Sequence, residues 1–127
     1  MGENKYDLEE RLLEYSAEIV RLVDRLPRTL AGNHVGDQLL RSGTSPLPNH
    51  GEAQAAESSK DFIHKMSICL KELRETRRWL RLAMRVPLIK PPSQFEPLLK
   101  ETEELVKIFY TSIRTANKRK PSPLVGS

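Results

Sequence analysis

The 127-residue chain has a single cysteine, few aromatic residues and no long apolar run. Because Cys69 has no second cysteine to pair with, an internal disulfide is excluded, and the composition suits a reducing compartment. No segment approaches the ~20 apolar residues that a bilayer crossing needs. The amino terminus also lacks the basic segment and apolar run of a secretory signal. These absences predict a cytoplasmic protein without a membrane span.

Motifs that carry out catalysis or bind metals are equally scarce. The sequence contains no Cys-x-x-Cys, no glycine-rich phosphate loop and no Glu-x-x-His of the kind that holds metals in helical bundles. The nearest approach is Asp61-x-x-His64, a single pair without a counterpart on another segment. Cys69 has no histidine in helical register to activate it. We therefore predict no catalytic residues, no metal, no cofactor and no enzymatic activity.

Charge is distributed unevenly along the chain, whose formal net charge is +4. Residues 1–58 contain 6 Lys or Arg and 10 Asp or Glu, whereas residues 59–127 contain 15 and 7. This division favours either a partner with acidic groups or contacts between the acidic and basic faces of two copies.

The longest periodic segment covers residues 59–85 and predicts the helix around which the others pack, ending near residue 86. Small and apolar side chains recur at alternating steps of four and three, which places them on one helix face. We call this set the core seam: Phe62, Met66, Cys69, Leu73, Thr76, Leu80 and Ala83. Cationic side chains follow the same rhythm on the opposite side. We call this second set the basic face: Lys71, Arg74, Arg78, Arg81 and Arg85.

The first helix is predicted over residues 7–26, with Asp7 as its cap and a proline directly after it. Leu13, Val20 and Val23 are expected to widen its apolar side.

The second segment, residues 33–58, contains Pro46 and Pro48, each of which costs ~3 kcal/mol inside a helix. We expect a kink or break over residues 44–49 and a helix that resumes near His50.

A last helix is predicted over residues 93–117, followed by a basic tail at 118–127 that contains Pro and Ser and is expected to be flexible. Short links and the absence of strand patterns predict an all-α fold, an antiparallel up-down-up-down four-helix bundle. It should form a single domain over residues 1–127 with its core at about 7–117.

The basic face has two interpretations. One is a solvated surface whose arginines lie over apolar side chains and partly pair with Glu72 and Glu75. The other is a site for phosphate groups, to which Lys118 and Arg119 at the end of the last helix add positive charge.

Two residues beside the basic face are candidates for an interface between subunits, Trp79 and Arg77. Trp79 suits base stacking as well as packing between subunits, and we favour packing.

A more specific signal joins the second segment to the third. Arg41-Ser42-Gly43-Thr44-Ser45 precedes Asn49, Glu52-Ala53 and then Asp61-Phe62-Ile63-His64-Lys65. This order resembles the four-helix-bundle proteins of the 23S rRNA intervening-sequence family over residues 8–112. The chain departs from the family pattern at Pro46-Leu47-Pro48 and at His50-Gly51. For the motif residues Arg41, Ser42, Ser45, Asn49 and Glu52 we expect a structural role, through close helix approach and hydrogen bonds to a kinked backbone.

The resemblance implies a bacterial cytosolic bundle that assembles into a ring-like homopentamer and has no established enzymatic activity. It also implies a likeness to the accessory proteins of diversity-generating retroelements, basic bundles that bind nucleic acid and a reverse transcriptase. Together with the basic face, it predicts a non-enzymatic oligomer that binds the backbone of RNA or DNA. The alternative is a scaffold whose basic face serves self-assembly or a protein partner such as a reverse transcriptase.

Overall fold

Four long helical rods make up residues 5–119, the part of the chain that the computed structural model describes. The helices are α1 Lys5–Asp24, α2 Leu30–Thr44, α3 Pro46–Gln54, α4 Ser59–Arg85 and α5 Glu96–Arg119, with a 3₁₀ turn at Pro92–Phe95 before α5. Helices α2 and α3 form one rod that bends by 15°. No strand occurs in these residues. The predicted all-α four-helix bundle with a kinked second helix is therefore confirmed.

Helix α4 lies at the centre of the packing. It packs most extensively against its neighbours α2, α3 and α5. Helix α1 contacts the same three helices but not α4, so α1 and α4 lie diagonally across the bundle from each other. The core seam faces this centre: Phe62 is half-buried, and Met66, Cys69, Leu73, Thr76, Leu80 and Ala83 are buried. The opposite side of α4 is consequently left at the surface.

A small polar layer crosses the apolar core. Ser42 Oγ on α2 donates to Gln38 O at 2.9 Å and accepts from Thr76 Oγ1 on α4 at 2.8 Å. The Tyr15 hydroxyl on α1 lies 2.6 Å from Thr102 Oγ1 on α5. Burial raises the pKa of Tyr15 above its ordinary value, so the phenol stays protonated and can hydrogen-bond. Because all four rods contribute a partner, this layer favours one register of the bundle over others.

The structure corrects the predicted course of the second rod. The only residue between α2 and α3 is Ser45, which keeps helical backbone angles, and the helix resumes at Pro46 rather than near His50. Proline is tolerated there because backbone donors in the first turn of a helix have no partner within it. The Asn49 side-chain amide donates to both Ser45 O and Ser45 Oγ at 3.0 Å.

The predicted helix ends also need correction. Helix α2 begins at Leu30 rather than residue 33, because Thr29 Oγ1 accepts from Gly32 N at 3.0 Å and caps it. Helix α1 ends at Asp24, and α3 ends at Gln54. The predicted start of α4 holds, since Ser58 Oγ accepts from Asp61 N at 3.0 Å.

The expected widening of the apolar side of α1 is wrong for two residues. Leu13 is 49% exposed and Val20 is 42% exposed, while Val23 is half-buried against the core. Both exposed side chains lie on a part of the α1 surface that the neighbouring helices do not cover.

His50 is the one histidine in residues 5–119 that is fully buried. Its ring packs edge-to-face on Phe109 with centroids 6.1 Å apart, and its Nδ1 has no hydrogen-bond partner in this part of the chain. Burial lowers the pKa of His50 below its ordinary value, and the charge of Glu9 opposes this only in part.

We expect stability to be lost on acidification through His50. In the unfolded chain the imidazole takes up a proton at about pH 6.5, whereas in the folded protein it takes up the proton only at lower pH. The free energy of unfolding is therefore highest above about pH 6.5 and decreases below that pH, by up to ~1.4 kcal/mol per pH unit. Urea unfolding of the wild type and of His50→Met between pH 7.5 and 5 measures this. The difference between the two profiles should change only below about pH 6.5, and parallel profiles would show that His50 does not contribute.

Candidate nucleic-acid interface

The five side chains of the basic face are all exposed on the outer side of α4. Within residues 5–119, no hydrogen bond or ion pair joins any of them to another residue. At a rise of 1.5 Å per residue, the row from Lys71 to Arg85 extends about 21 Å. This length corresponds to about six phosphates along one strand of a duplex, at 3.4 Å each.

The two acidic residues expected to neutralise the basic face point elsewhere. Arg41 on α2 pairs with Glu72 Oε1 at 3.1 Å and also with Glu75. Two contacts hold the pKa of the Glu75 carboxyl below its ordinary value, although partial burial acts to raise it. Trp79 Nε1 donates a hydrogen bond to Glu75 Oε2 at 3.0 Å, and the Arg41 guanidinium also bonds to this carboxylate. Lys71 adds a weaker electrostatic attraction to the same carboxylate. These acids therefore link α2 to α4 and leave the arginines of the basic face without carboxylate partners.

Trp79 belongs to this α2–α4 contact. Its ring is half-buried and packs edge-to-face on His34 with centroids 5.7 Å apart. The indole donor is already bound to Glu75, on the side of α4 that faces α2. Trp79 therefore lies on a different side of α4 from the row of arginines. This position disfavours base stacking beside that row.

Arg77 lies between the core seam and the basic face. It is half-buried, and its Nε has no hydrogen-bond partner among the described residues. Its role at a subunit interface, like that of Trp79, stays a prediction.

Lys118 and Arg119 are exposed at the end of α5, but the structure does not place them beside the arginines of α4. Arg119 lines a shallow surface with Ser59 and Phe62, at the start of α4. The basic surface therefore has two parts, one at each end of this long helix. The flexible tail predicted over residues 118–127 is corrected at its start, because Lys118 and Arg119 belong to α5, and residues 120–127 lie outside the described part of the chain.

The remaining family motif residues make contacts within the second rod and between this rod and α4. Thr76 on α4 donates to Ser42, and Ser45 is bound by the Asn49 amide, as described above. Glu52 Oε1 pairs with Lys65 Nζ of α4 at 2.6 Å. These contacts engage the polar atoms of Ser42, Ser45 and Asn49 within the bundle, while the exposed side chains of Arg41 and Glu52 pair with residues of α4 at its surface.

The side chains considered for chemistry are poorly placed for it. Cys69 is buried, its Sγ donates to Pro46 O at 3.6 Å, and burial raises the pKa of the thiol to about 12, so the reactive thiolate is disfavoured. Residues 5–119 hold no group of three or more His, Cys, Asp or Glu side chains arranged to bind a metal ion. None of the helices in that range combines the length and apolar character that a bilayer-spanning segment needs.

The fold and this surface define the class: a small helical bundle with an unpaired cationic face on its longest helix. The chain matches the 23S rRNA-intervening sequence proteins over residues 4–111 and belongs to that family. It is also similar to a crystal structure from Bacteroides thetaiotaomicron of a protein with unknown function from the S23 ribosomal protein family. That match has 34% identity and a TM-score of 0.79, covering 87% of this chain and 97% of the other. Among curated proteins, none matches the chain.

Proposed function

We propose that this protein is a non-enzymatic cytoplasmic oligomer that binds nucleic-acid backbone through the basic face of α4. The observation that carries the proposal is the row of five exposed cations, none of which forms an ion pair or a side-chain hydrogen bond within the described part of the chain. Membership of the 23S rRNA-intervening sequence family supports structured RNA as the first nucleic acid to test. Contacts of this kind hold phosphates and do not read sequence.

Salt dependence tests the proposal. If all five cations contact phosphates, the affinity for a structured rRNA fragment should fall about 500-fold between 50 and 200 mM salt, following a log–log slope of about −4.5. Fluorescence anisotropy across that range, with a DNA duplex of equal length as comparison, measures the slope. Weak binding that does not respond to salt would count against the proposal.

A second candidate function is a scaffold whose basic face serves self-assembly or an acidic protein partner. Its support is the exposed apolar surface of α1 at Leu13 and Val20, which an interface between copies would cover. The homopentamer implied by the resemblance would have a mass five times the 14.6 kDa of the chain.

The variant Arg74→Glu/Arg78→Glu separates the two candidates. A smaller species in light scattering would show that the basic face holds subunits together. A variant that keeps its mass and loses RNA would show that this face binds RNA.

A further inference from the structure

The basic face ends in a cleft. Arg81 and Arg85 line an open cleft of about 680 Å³ between the end of α4 and the start of α5. This volume lies within the ~300–1,000 Å³ typical of ligand-binding clefts. A nucleic-acid strand that lies along the basic face therefore reaches the cleft about one turn of α4 beyond Arg78.

The lining of this cleft differs from the rest of the basic face. Met84 and Leu99 are half-buried against the core and form an apolar floor, extended by prolines of the connection between α4 and α5. Ser93 and Glu96, both exposed, supply a hydroxyl and a carboxylate at the edge. The cleft thus combines cations, apolar surface and a hydrogen-bond acceptor, while the remainder of the face offers mainly cations.

We propose that the cleft receives one unpaired nucleotide of the RNA whose backbone lies along the basic face, an inference that rests on the proposed function. The guanidinium groups of Arg81 and Arg85 hold the flanking phosphates. The apolar floor, which contributes nothing to phosphate binding, covers one face of the base. A paired base is enclosed in the stack of an A-form helix, so only a bulged, looped or terminal nucleotide enters.

Glu96 supplies a hydrogen-bond acceptor at the edge of the cleft. Its carboxylate repels phosphate but accepts hydrogen bonds from the N–H groups on the Watson–Crick edge of an unpaired base, such as the amino group of adenine or the N3–H of uracil. An abasic nucleotide has no such donor, so Glu96 favours a base in the cleft over a bare backbone.

A set of three hairpins tests the proposal. The first has one bulged adenosine, the second has an abasic nucleotide at that position, and the third is fully paired. The first two carry the same number of phosphates, so electrostatic attraction to the basic face is matched. We expect the bulged adenosine to bind about tenfold more tightly than the abasic hairpin, in the range known for one base on a protein surface.

Two variants locate the effect. Ser93→Leu narrows the cleft without changing charge, whereas Thr115→Leu introduces a leucine at an exposed position near the other end of α5 that does not line the cleft. The preference for the bulged adenosine should vanish in Ser93→Leu and persist in Thr115→Leu, with thermal unfolding used to verify that both are folded. A preference that survives in both variants would place the base elsewhere and overturn the proposal.

The outcomes separate this inference from the proposed function. Equal, strongly salt-dependent binding of all three hairpins by the wild type would overturn the cleft and leave backbone binding standing. Absence of binding to every hairpin would overturn both.

Discussion

Replacing Arg74 and Arg78 with glutamate is expected to weaken RNA binding by about 100-fold or more at about 0.1 M salt. Each phosphate contact contributes about 0.9 log units to the affinity at that concentration, through release of condensed counterions. Two lost contacts account for about two log units, and the new carboxylates add repulsion. The log–log salt slope should also become shallower by about two units, which anisotropy titrations at four or five salt concentrations will resolve.

The matched control for this experiment lies on the diagonal helix. Arg21→Glu/Arg25→Glu changes the net charge equally, and both positions are on or just beyond α1, which lies across the bundle from α4. The Arg25 guanidinium contacts Gln94 in the connection before α5 and does not contact Arg74 or Arg78. Arg21 pairs with Glu18 at 2.7 Å on an exposed surface, where such pairs stabilise little. The control should therefore lose much less affinity. Equal losses in the two double variants would show that binding depends on net charge and not on α4.

Gly32→Ala is expected to destabilise the fold by about 3 kcal/mol, a large share of the stability of a domain this size. A Cβ at Gly32 would lie 1.9 Å from the carbonyl oxygen of Pro27, which is backbone and cannot rotate away. The connection between α1 and α2 would have to move. Gly43→Ala should cost less, because its Cβ would meet side-chain carbons of Ile19, the nearest at 2.7 Å, and no backbone atom as close as the one that Gly32→Ala meets.

Gly51 supplies the control for these glycine variants. It lies inside α3, and a Cβ there would meet nothing within 4 Å. Gly51→Ala should therefore stabilise the protein by about 0.5–1 kcal/mol, through the better helix propensity of alanine. Urea unfolding of the three variants gives the order directly. A Gly32→Ala protein as stable as Gly51→Ala would contradict the close approach of α1 and α2.

Much of the fold follows from helical periodicity, because a buried side must repeat about every 3.6 residues wherever a helix packs on a core. This is why the core seam could be predicted residue by residue. The width of a buried side depends on how closely neighbouring helices approach. Leu13 and Val20 were therefore misplaced, since nothing in α1 alone shows where α2 and α3 leave it uncovered.

The second rod was harder to predict because its prolines can act in two ways. Inside a helix Pro46 and Pro48 would break it, but in the first turn of a new helix they remove donors that have no partner there. The choice is made by contacts outside the local sequence. Pro46 is buried and its carbonyl accepts from Cys69 of α4, so packing holds the rod nearly straight.

The candidate site could be predicted only in part. The phase of the basic face followed from sequence, as did its exposure opposite the core seam. The ion pairs of Arg41 with Glu72 and Glu75 could not be predicted from the sequence, because they join residues that are distant in the chain. The cleft beyond Arg81 was also invisible, since a connection of irregular conformation between α4 and α5 forms one of its walls.

Arginine modification in the assembled particle tests the central claim most directly, namely that the basic face is open and binds a polyanion. Native-state labelling with an arginine-specific reagent, read by mass spectrometry, should modify Arg74, Arg78, Arg81 and Arg85 rapidly. Arg11, which pairs with Glu101 Oε2 at 2.6 Å, should react more slowly and serves as the internal reference. Adding the structured rRNA fragment should protect the four arginines of the basic face. If those four are already unreactive in the particle without RNA, the basic face is consumed by subunit contacts and the account is contradicted.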